Sequence, residues 1–137
     1  MAELVSAVAN GGVAQEPRLL AGSGVEGSMT RPAQPSSARR LMPEETAAQM
    51  LAMMLACVQD GTGTKAAVRG VPMAGKTGSA QVSGDGSQAS HGWFVGFVAD
   101  DNHPLAVVVL LENSGSGGAT AAPVASRLVT KALSLGY

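Results

Sequence analysis

Residues 70–83 read Gly70-Val71-Pro72-Met73-Ala74-Gly75-Lys76-Thr77-Gly78-Ser79-Ala80-Gln81-Val82-Ser83, and the secondary structure of this stretch decides the fold. Its first eight residues satisfy G-x-x-x-x-G-K-[ST], the phosphate-cradling pattern of nucleotide-binding proteins. That pattern works when a buried strand precedes the first glycine and a helix begins at the Lys-Thr, so that the helix N-terminus faces the phosphates. Here the preceding Thr64-Lys65-Ala66-Ala67-Val68-Arg69 is not a buried-strand run, and Gly78 and Gly84 follow Lys76 where a helix would have to continue. No apolar strand ending in Asp is well placed to hold Mg²⁺. The stretch instead reads as a strand over 71–83, closed by a turn at Gly84-Asp85-Gly86. Alternation along a strand sends Lys76 and Gly78 to one face and Thr77 and Ser79 to the other.

Working outward, 93–99 reads as a second strand and Asp100-Asp101-Asn102-His103-Pro104 as a polar connection. Residues 105–112 form a third strand, nearly all β-branched or Leu, which predicts burial on both faces. Upstream, 43–59 reads as a helix with Pro43 in its first turn and Glu44 and Glu45 complementing its N-terminal dipole. Its stripe of Ala47, Met50, Leu51, Met54 and Val58, widened by Met53 and Leu55, predicts burial over much of its surface. Gly61 and Gly63 end it. Residues 1–9 read as a short helix with Leu4, Val5 and Val8 on one side, stopped at Asn10-Gly11-Gly12 by glycine's access to the left-handed cap. A chain that opens inside an uncapped helix reads as truncated. Residues 13–40, rich in Gly, Pro and Ser, read as mostly loop with a short extended piece over 15–20. Thr120 caps a last helix over 120–135 that includes Pro123 and carries Ala121, Ala125, Leu128, Ala132 and Leu135 as its stripe. The sum, over 1–137, is one α+β domain or part of one, with three antiparallel strands over 71–112 and flanking helices.

Composition narrows the function. Hydrophobic residues make up 45% of the chain and charged ones 14%, enough apolar material for a core. The aromatics are Trp93, Phe94, Phe97 and Tyr137, so that core is built from Ala, Val, Leu and Met. A net charge of −1 offers no field for nucleic acid or an anionic membrane, and Arg39-Arg40 reads as a solvated loop pair. Cys57 is the one cysteine, so no intramolecular disulfide forms. One cysteine and two histidines give no metal-ligand spacing, and neither metal nor cofactor is expected. Cys57 and His91 lack any signature of a catalytic pair. Cys57 reads as core, as do Met50, Met53 and Met54. His91 reads as a structural residue at a strand entrance, and Trp93 as packing whose N–H needs a partner. There is no apolar run of 18 residues and no signal-peptide layout, and the chain as given is expected to be soluble.

Lys76-Thr77-Gly78 followed by the hydroxyl of Ser79 resembles the third active-site element of the penicillin-binding transpeptidases and their β-lactamase relatives. Alone the tripeptide is weak, but its surroundings carry the resemblance over nearly the whole chain. Met1-Ala2-Glu3-Leu4 through Ala9-Asn10-Gly11-Gly12, with Glu16-Pro17 after it, is similar to the "MA…ANGG" helix end of class B penicillin-binding proteins. Val58-Gln59-Asp60-Gly61-Thr62-Gly63-Thr64-Lys65-Ala66 resembles "V…GTG..A". Met73-Ala74-Gly75-Lys76-Thr77-Gly78-Ser79-Ala80-Gln81 resembles "AGKTGTAQ", with Ser79 where Thr is usual. His91-Gly92-Trp93-Phe94-Val95-Gly96-Phe97 resembles "HAWFVGF". The Gly-rich loop ending in Ala122-Pro123 resembles the stretch before the family's last helix. The chain is thereby identified as similar to the C-terminal part of that transpeptidase domain.

The resemblance implies an enzyme that cross-links peptidoglycan at the outer face of the cytoplasmic membrane. A serine attacks the penultimate D-Ala of a stem peptide, an amine of a second stem resolves the acyl-enzyme, and β-lactams acylate the same serine. Lys76 would supply positive charge. The hydroxyls of Thr77 and Ser79 would bind the substrate or β-lactam carboxylate. Gly78 lets the substrate backbone approach, and the Ser79 backbone N–H would be half of the oxyanion hole. The parent protein would be membrane-anchored with this domain outside. The nucleophile itself is missing. The residues three before Lys65, Lys76 and Lys131 are Thr62, Met73 and Leu128, so there is no Ser-x-x-Lys. Asn10, Asn102 and Asn113 follow Val8, Asp100 and Leu111 at the Ser-x-Asn spacing. The chain alone is therefore expected to be inactive. A non-catalytic module with a carboxylate groove and, remotely, a P-loop nucleotidase over Gly70 to Thr77 are the other readings. The family's five-stranded sheet has two further strands, one beside 105–112, so this apolar edge predicts self-association or a need for the missing half.

Overall fold

The computed structural model of the chain describes residues 1–20, 22–25, 28–32, 37–84 and 86–137. In chain order the elements are α1 (Ala2–Ala9), β1 (Val13–Gln15), β2 (Gly22–Val25), β3 (Ser28–Pro32), β4 (Ala38–Arg40) and α2 (Glu44–Gln59). A 3-10 turn at Thr64–Ala66, β5 (Met73–Ala80), β6 (His91–Val98), β7 (Ala106–Leu111) and α3 (Ala121–Ser134) follow.

The central sheet is β5-β6-β7, antiparallel throughout. Its register aligns Lys76 with Val95 and Val108, and Thr77 with Phe94 and Val109. The fold is α+β, with three antiparallel strands and flanking helices. β5 stops at Ala80, and the turn expected at Gly84-Asp85-Gly86 includes Asp85, which lies outside the described residues.

Phe94 is fully buried, and its ring lies in a slot that two glycines leave open. Gly75 and Gly96 face each other across β5 and β6. A Cβ on Gly75 would stand 2.3 Å from Phe94 Cζ, and one on Gly96 would stand 2.9 Å from Phe94 Cε1. The first glycine of Gly-Lys-Thr-Gly is thus a packing requirement, since a ring and a methyl cannot share that volume.

The sheet is covered on both sides. On one face α1 and α2 bring Val5, Val8 and Met54 against Ala74 and Phe97. On the other, α3, the 3-10 turn and the end of α2 pack Ala121, Ala122, Ala125, Val129, Ala66 and Val58 against Met73, Phe94, Val98 and Val109. Each layer buries an apolar face that neither helices nor sheet could bury alone.

Several expectations are corrected. On α2 only Ala47, Met54 and Val58 are buried, and Met53 is 63% exposed, because α2 has neighbours along one side only. Pro43 is the N-cap of α2 rather than part of its first turn. On α3 the buried stripe is Ala121, Ala122, Ala125 and Val129. Leu128 and Leu135 are exposed, because the face that meets the sheet is turned one residue from the one read from apolarity. β7 packs on both faces, Val107, Val109 and Leu111 on the α3 side and Val108 on the α1–α2 side, but less completely than expected. It is an edge strand in which only Val109 is buried and Leu110 is exposed.

The 13–40 segment holds two short antiparallel pairs, β1 with β4 and β2 with β3, rather than mostly loop. The extended piece read at 15–20 ends at Gln15. Arg39-Arg40 lies in β4, and Arg40 Nη1 donates to the carbonyls of Gly11 at 2.9 Å and Met42 at 3.2 Å. These contacts anchor β4 beside the end of α1, where Gly11 and Gly12 turn the chain at φ +61° and +94°. Backbone pairing stabilises such short strands, which is why their composition conceals them. Among the described residues, no helix is long and apolar enough to cross a membrane.

In the β6–β7 connection, Asp100 Oδ2 lies 2.9 Å from His103 Nδ1, and Oδ1 accepts from the Asn102 backbone N–H at 3.0 Å. The His103 hydrogen bond, then the Asn102 N–H, hold this carboxyl below the usual aspartate range. A lowered folded value means the ionised carboxyl favours the fold above the unfolded-state pKa, and this contribution is lost as pH falls through the folded value. Asp100→Ala should therefore lower the calorimetric Tm at neutral pH and converge on the wild type in acid. Gly75→Ala should cost about 1–3 kcal/mol or more in denaturant unfolding, as over-packing does.

Candidate active site

Among the described residues, β5 is the outer strand of the central sheet, pairing with β6 on one side and with no strand on the other. Along it the side chains alternate as a strand requires. Lys76 is exposed on the face that meets α1 and α2, Thr77 is buried on the opposite face, and Ser79 is exposed. Lys76, Thr77, Gly78 and Ser79 therefore stand in one row on a free sheet edge. Lys76 and Thr77 are mid-strand, so no helix begins there to face a phosphate as a P-loop requires.

The Lys76 side chain folds along the strand, and Nζ donates to the Thr77 carbonyl at 2.7 Å. Its stem borders a cavity of about 450 Å³ between α1, α2 and the sheet, lined also by Leu4, Val8, Met53, Cys57 and Val95. Two sequence readings are corrected here. Cys57 is half-buried in that wall rather than in the core. Of the three methionines on α2 only Met54 is core, while all three line the cavity.

On the other face Thr77 Oγ1 lies 2.6 Å from Thr62 Oγ1, which is 3.7 Å from Cys57 Sγ. Ser79 Oγ accepts from the Gly117 N–H at 3.4 Å. Gly117 lies directly on the β5–β6 backbone. A Cβ there would stand 2.2 Å from Trp93 O and 2.3 Å from Gly78 O. At Gly118 a Cβ would meet Thr62 O at 2.5 Å.

The 113–118 loop is tied down on both sides. His91 Nδ1 accepts from the Asn113 N–H at 3.0 Å, and Gly115 N–H donates to Ser90 O at 2.8 Å. The Asn113 bond requires a lone pair on Nδ1, so His91 acts as a structural acceptor beside the site. Thr120 Oγ1 donates to Ser116 O at 2.9 Å and lies 3.2 Å from Ser114 Oγ.

A cation, two hydroxyls and a free strand edge within four residues suit an anionic ligand with an extended backbone. The sequence reading named those four and left out Thr62 and Gly117 as site residues. Their signals were Gly61-Thr62-Gly63 and the run of glycines at Gly115, Gly117 and Gly118. Among the described residues no cluster of three His, Cys, Asp or Glu suits a metal ion.

The penicillin binding protein transpeptidase domain model matches residues 1–130. The chain belongs to that family, in its class B branch. Peptidoglycan D,D-transpeptidase PbpA of Mycolicibacterium smegmatis is 32% identical over 139 residues, covering 96% of this chain and 28% of the relative. Stage V sporulation protein D of Bacillus subtilis is 30% identical over 138 residues, covering 94% of this chain and 21% of the relative.

Among solved structures, the D,D-transpeptidase domain of a peptidoglycan glycosyltransferase from Eggerthella lenta superposes with a TM-score of 0.83 at 29% identity. That match covers 98% of this chain and 31% of the other. Penicillin-binding protein A from M. tuberculosis, solved as a ceftriaxone acyl-enzyme complex, superposes at 0.80 with 31% identity, covering 96% and 31%. The chain thus spans under a third of the length of these relatives.

Gly117→Ala should lift the loop from β5. The expected result is shifted amide resonances at Ser79 and Trp93 and a loss of about 1–3 kcal/mol in unfolding free energy.

Proposed function

We propose that this chain forms the Lys-Thr-Gly wall of a peptidoglycan D,D-transpeptidase active site. The observation that carries this reading is the row Lys76-Thr77-Gly78-Ser79 on the unpaired edge of β5. Lys76 supplies positive charge to the site. The hydroxyls of Thr77 and Ser79 hold the carboxylate of a stem peptide or β-lactam, with Gly78 leaving room for its backbone. The Ser79 N–H donates to the developing oxyanion, where a preoriented donor acts without reorganisation. Because the sequence contains no Ser-x-x-Lys, the acylated serine belongs to chain outside these 137 residues, and this chain alone does not turn over substrate. The intact protein is a membrane-anchored enzyme with this domain on the extracytoplasmic side.

The free edge of β7 is the second incomplete boundary. An unpaired strand edge with an exposed Leu110 favours pairing with another strand, so the isolated chain self-associates or recruits the rest of its domain. Light scattering should give a mass above that of a monomer, rising with concentration. A monodisperse monomer across the range would refute the edge-pairing reading.

Intact-mass spectrometry after incubation with benzylpenicillin should show no covalent adduct, and an adduct of one drug mass would overturn the assignment. NMR titration with the same drug should show weak, saturable shifts at residues 76–79, weakened about tenfold or more in Lys76→Ala by loss of a charge-assisted contact. Saturable binding that persists in the intact protein without acylation would instead favour a non-catalytic carboxylate-binding module. Stabilisation by ATP that Lys76→Ala abolishes would favour the nucleotide reading.

A further inference from the structure

Thr77 is the buried member of the proposed carboxylate row, and its hydroxyl has a neighbour outside the Lys-Thr-Gly-Ser row. Thr62, in the turn after α2, places Oγ1 2.6 Å from Thr77 Oγ1. One hydrogen lies between two hydroxyl oxygens at that distance, so either Thr62 or Thr77 donates it. If Thr77 donated to Thr62, its only hydrogen would be consumed, and it would offer a carboxylate nothing but repelling lone pairs. If Thr62 donates, the Thr77 hydrogen remains free for the ligand.

A further contact extends the chain of hydroxyls. Cys57 Sγ lies 3.7 Å from Thr62 Oγ1. With the thiol as donor to Thr62, the Thr62 hydrogen goes on to Thr77, and this is the orientation that leaves the Thr77 hydrogen free. We propose that Thr62 is a positioning residue. It fixes the Thr77 hydroxyl as a donor to the ligand carboxylate through a relay running from Cys57 to Thr62 to Thr77. This rests on the reading of Thr77 as a carboxylate-binding group. Aligned hydroxyls polarise one another, so each bond in the relay strengthens the next toward the anion. Thr62 does not touch the ligand. It is held over Thr77 from behind by the 117–118 loop, where Gly118 leaves no room for a Cβ beside Thr62 O.

The test uses the full chain, with Thr62→Val, which keeps the shape and removes the hydroxyl, and Thr62→Ser, which keeps the hydroxyl. Thr62 is exposed, so neither change removes a core contact, and Thr62→Ala serves if the valine variant does not fold. Three-bond NMR couplings report the Thr77 χ1 angle without any ligand. The wild type and Thr62→Ser should show one rotamer, and Thr62→Val an average of several. One retained rotamer in Thr62→Val would overturn the proposal.

Titration with benzylpenicillin, and with its methyl ester as the uncharged control, gives the second readout. Thr62→Val should weaken the acid about five- to tenfold, Thr62→Ser should restore it to within about twofold, and the ester should be indifferent to all three. A carboxylate affinity unchanged in Thr62→Val, or an equal loss for acid and ester, would overturn the relay. If the wild-type chain bound neither compound, the reading of the site would fail, while the rotamer result would still decide whether Thr62 positions Thr77.

Discussion

The structure depends on the fit of one aromatic ring over two glycines. Phe94 can lie flat on the sheet only because Gly75, diagonal to it on β5, and Gly96, two residues further along β6, carry no side chain. Slipping β5 by one residue against β6 would put Ala74 or Lys76 under that ring, and a one-residue slip also exchanges the two faces of a strand. The ring therefore locks the register. With the register locked, Lys76 meets Val95 on the α1–α2 side and Thr77 stands beside Phe94 on the α3 side. A core contact on β6 decides where the charged and hydroxyl groups of β5 point.

The site is layered around that constraint. β5 supplies the row of polar groups, but two loops finish it. The turn after α2 brings Thr62 to Thr77, and the glycine loop before α3 brings Gly117 to Ser79. His91 at the start of β6 accepts from Asn113 and tethers the same loop. Neither loop could approach so closely with larger residues at Gly117 and Gly118. The geometry of the polar groups is thus set by close backbone packing, which is stiffer than any surface ion pair.

The two unpaired boundaries, the outer side of β5 and the outer side of β7, have different characters. β5 presents a cation and hydroxyls, which suits a polar ligand lying along the edge. β7 presents mostly aliphatic side chains and a free backbone, which suits another strand.

Much of this was legible in the linear order of residues. The three strands, the helix after Pro43 and the terminal helix follow from local pattern: glycine punctuation, the β-branched run before Glu112, and apolar spacing near 3.6. The row Lys76 to Ser79 needed only the recognition that its glycines fit a strand better than a helix start. What sequence alone could not decide depends on contacts between distant residues. The hairpins within 13–40 form because β4 returns to β1, and the buried stripe of α3 is chosen by the sheet rather than by its leucines. Cys57 and Thr62 join the site only once the end of α2 is laid beside β5. The sequence determined the elements and the chemical groups, because propensity and alternation act over a few neighbouring residues. The tertiary structure decided which faces are buried and which hydroxyls meet, because those depend on packing between residues far apart in the chain.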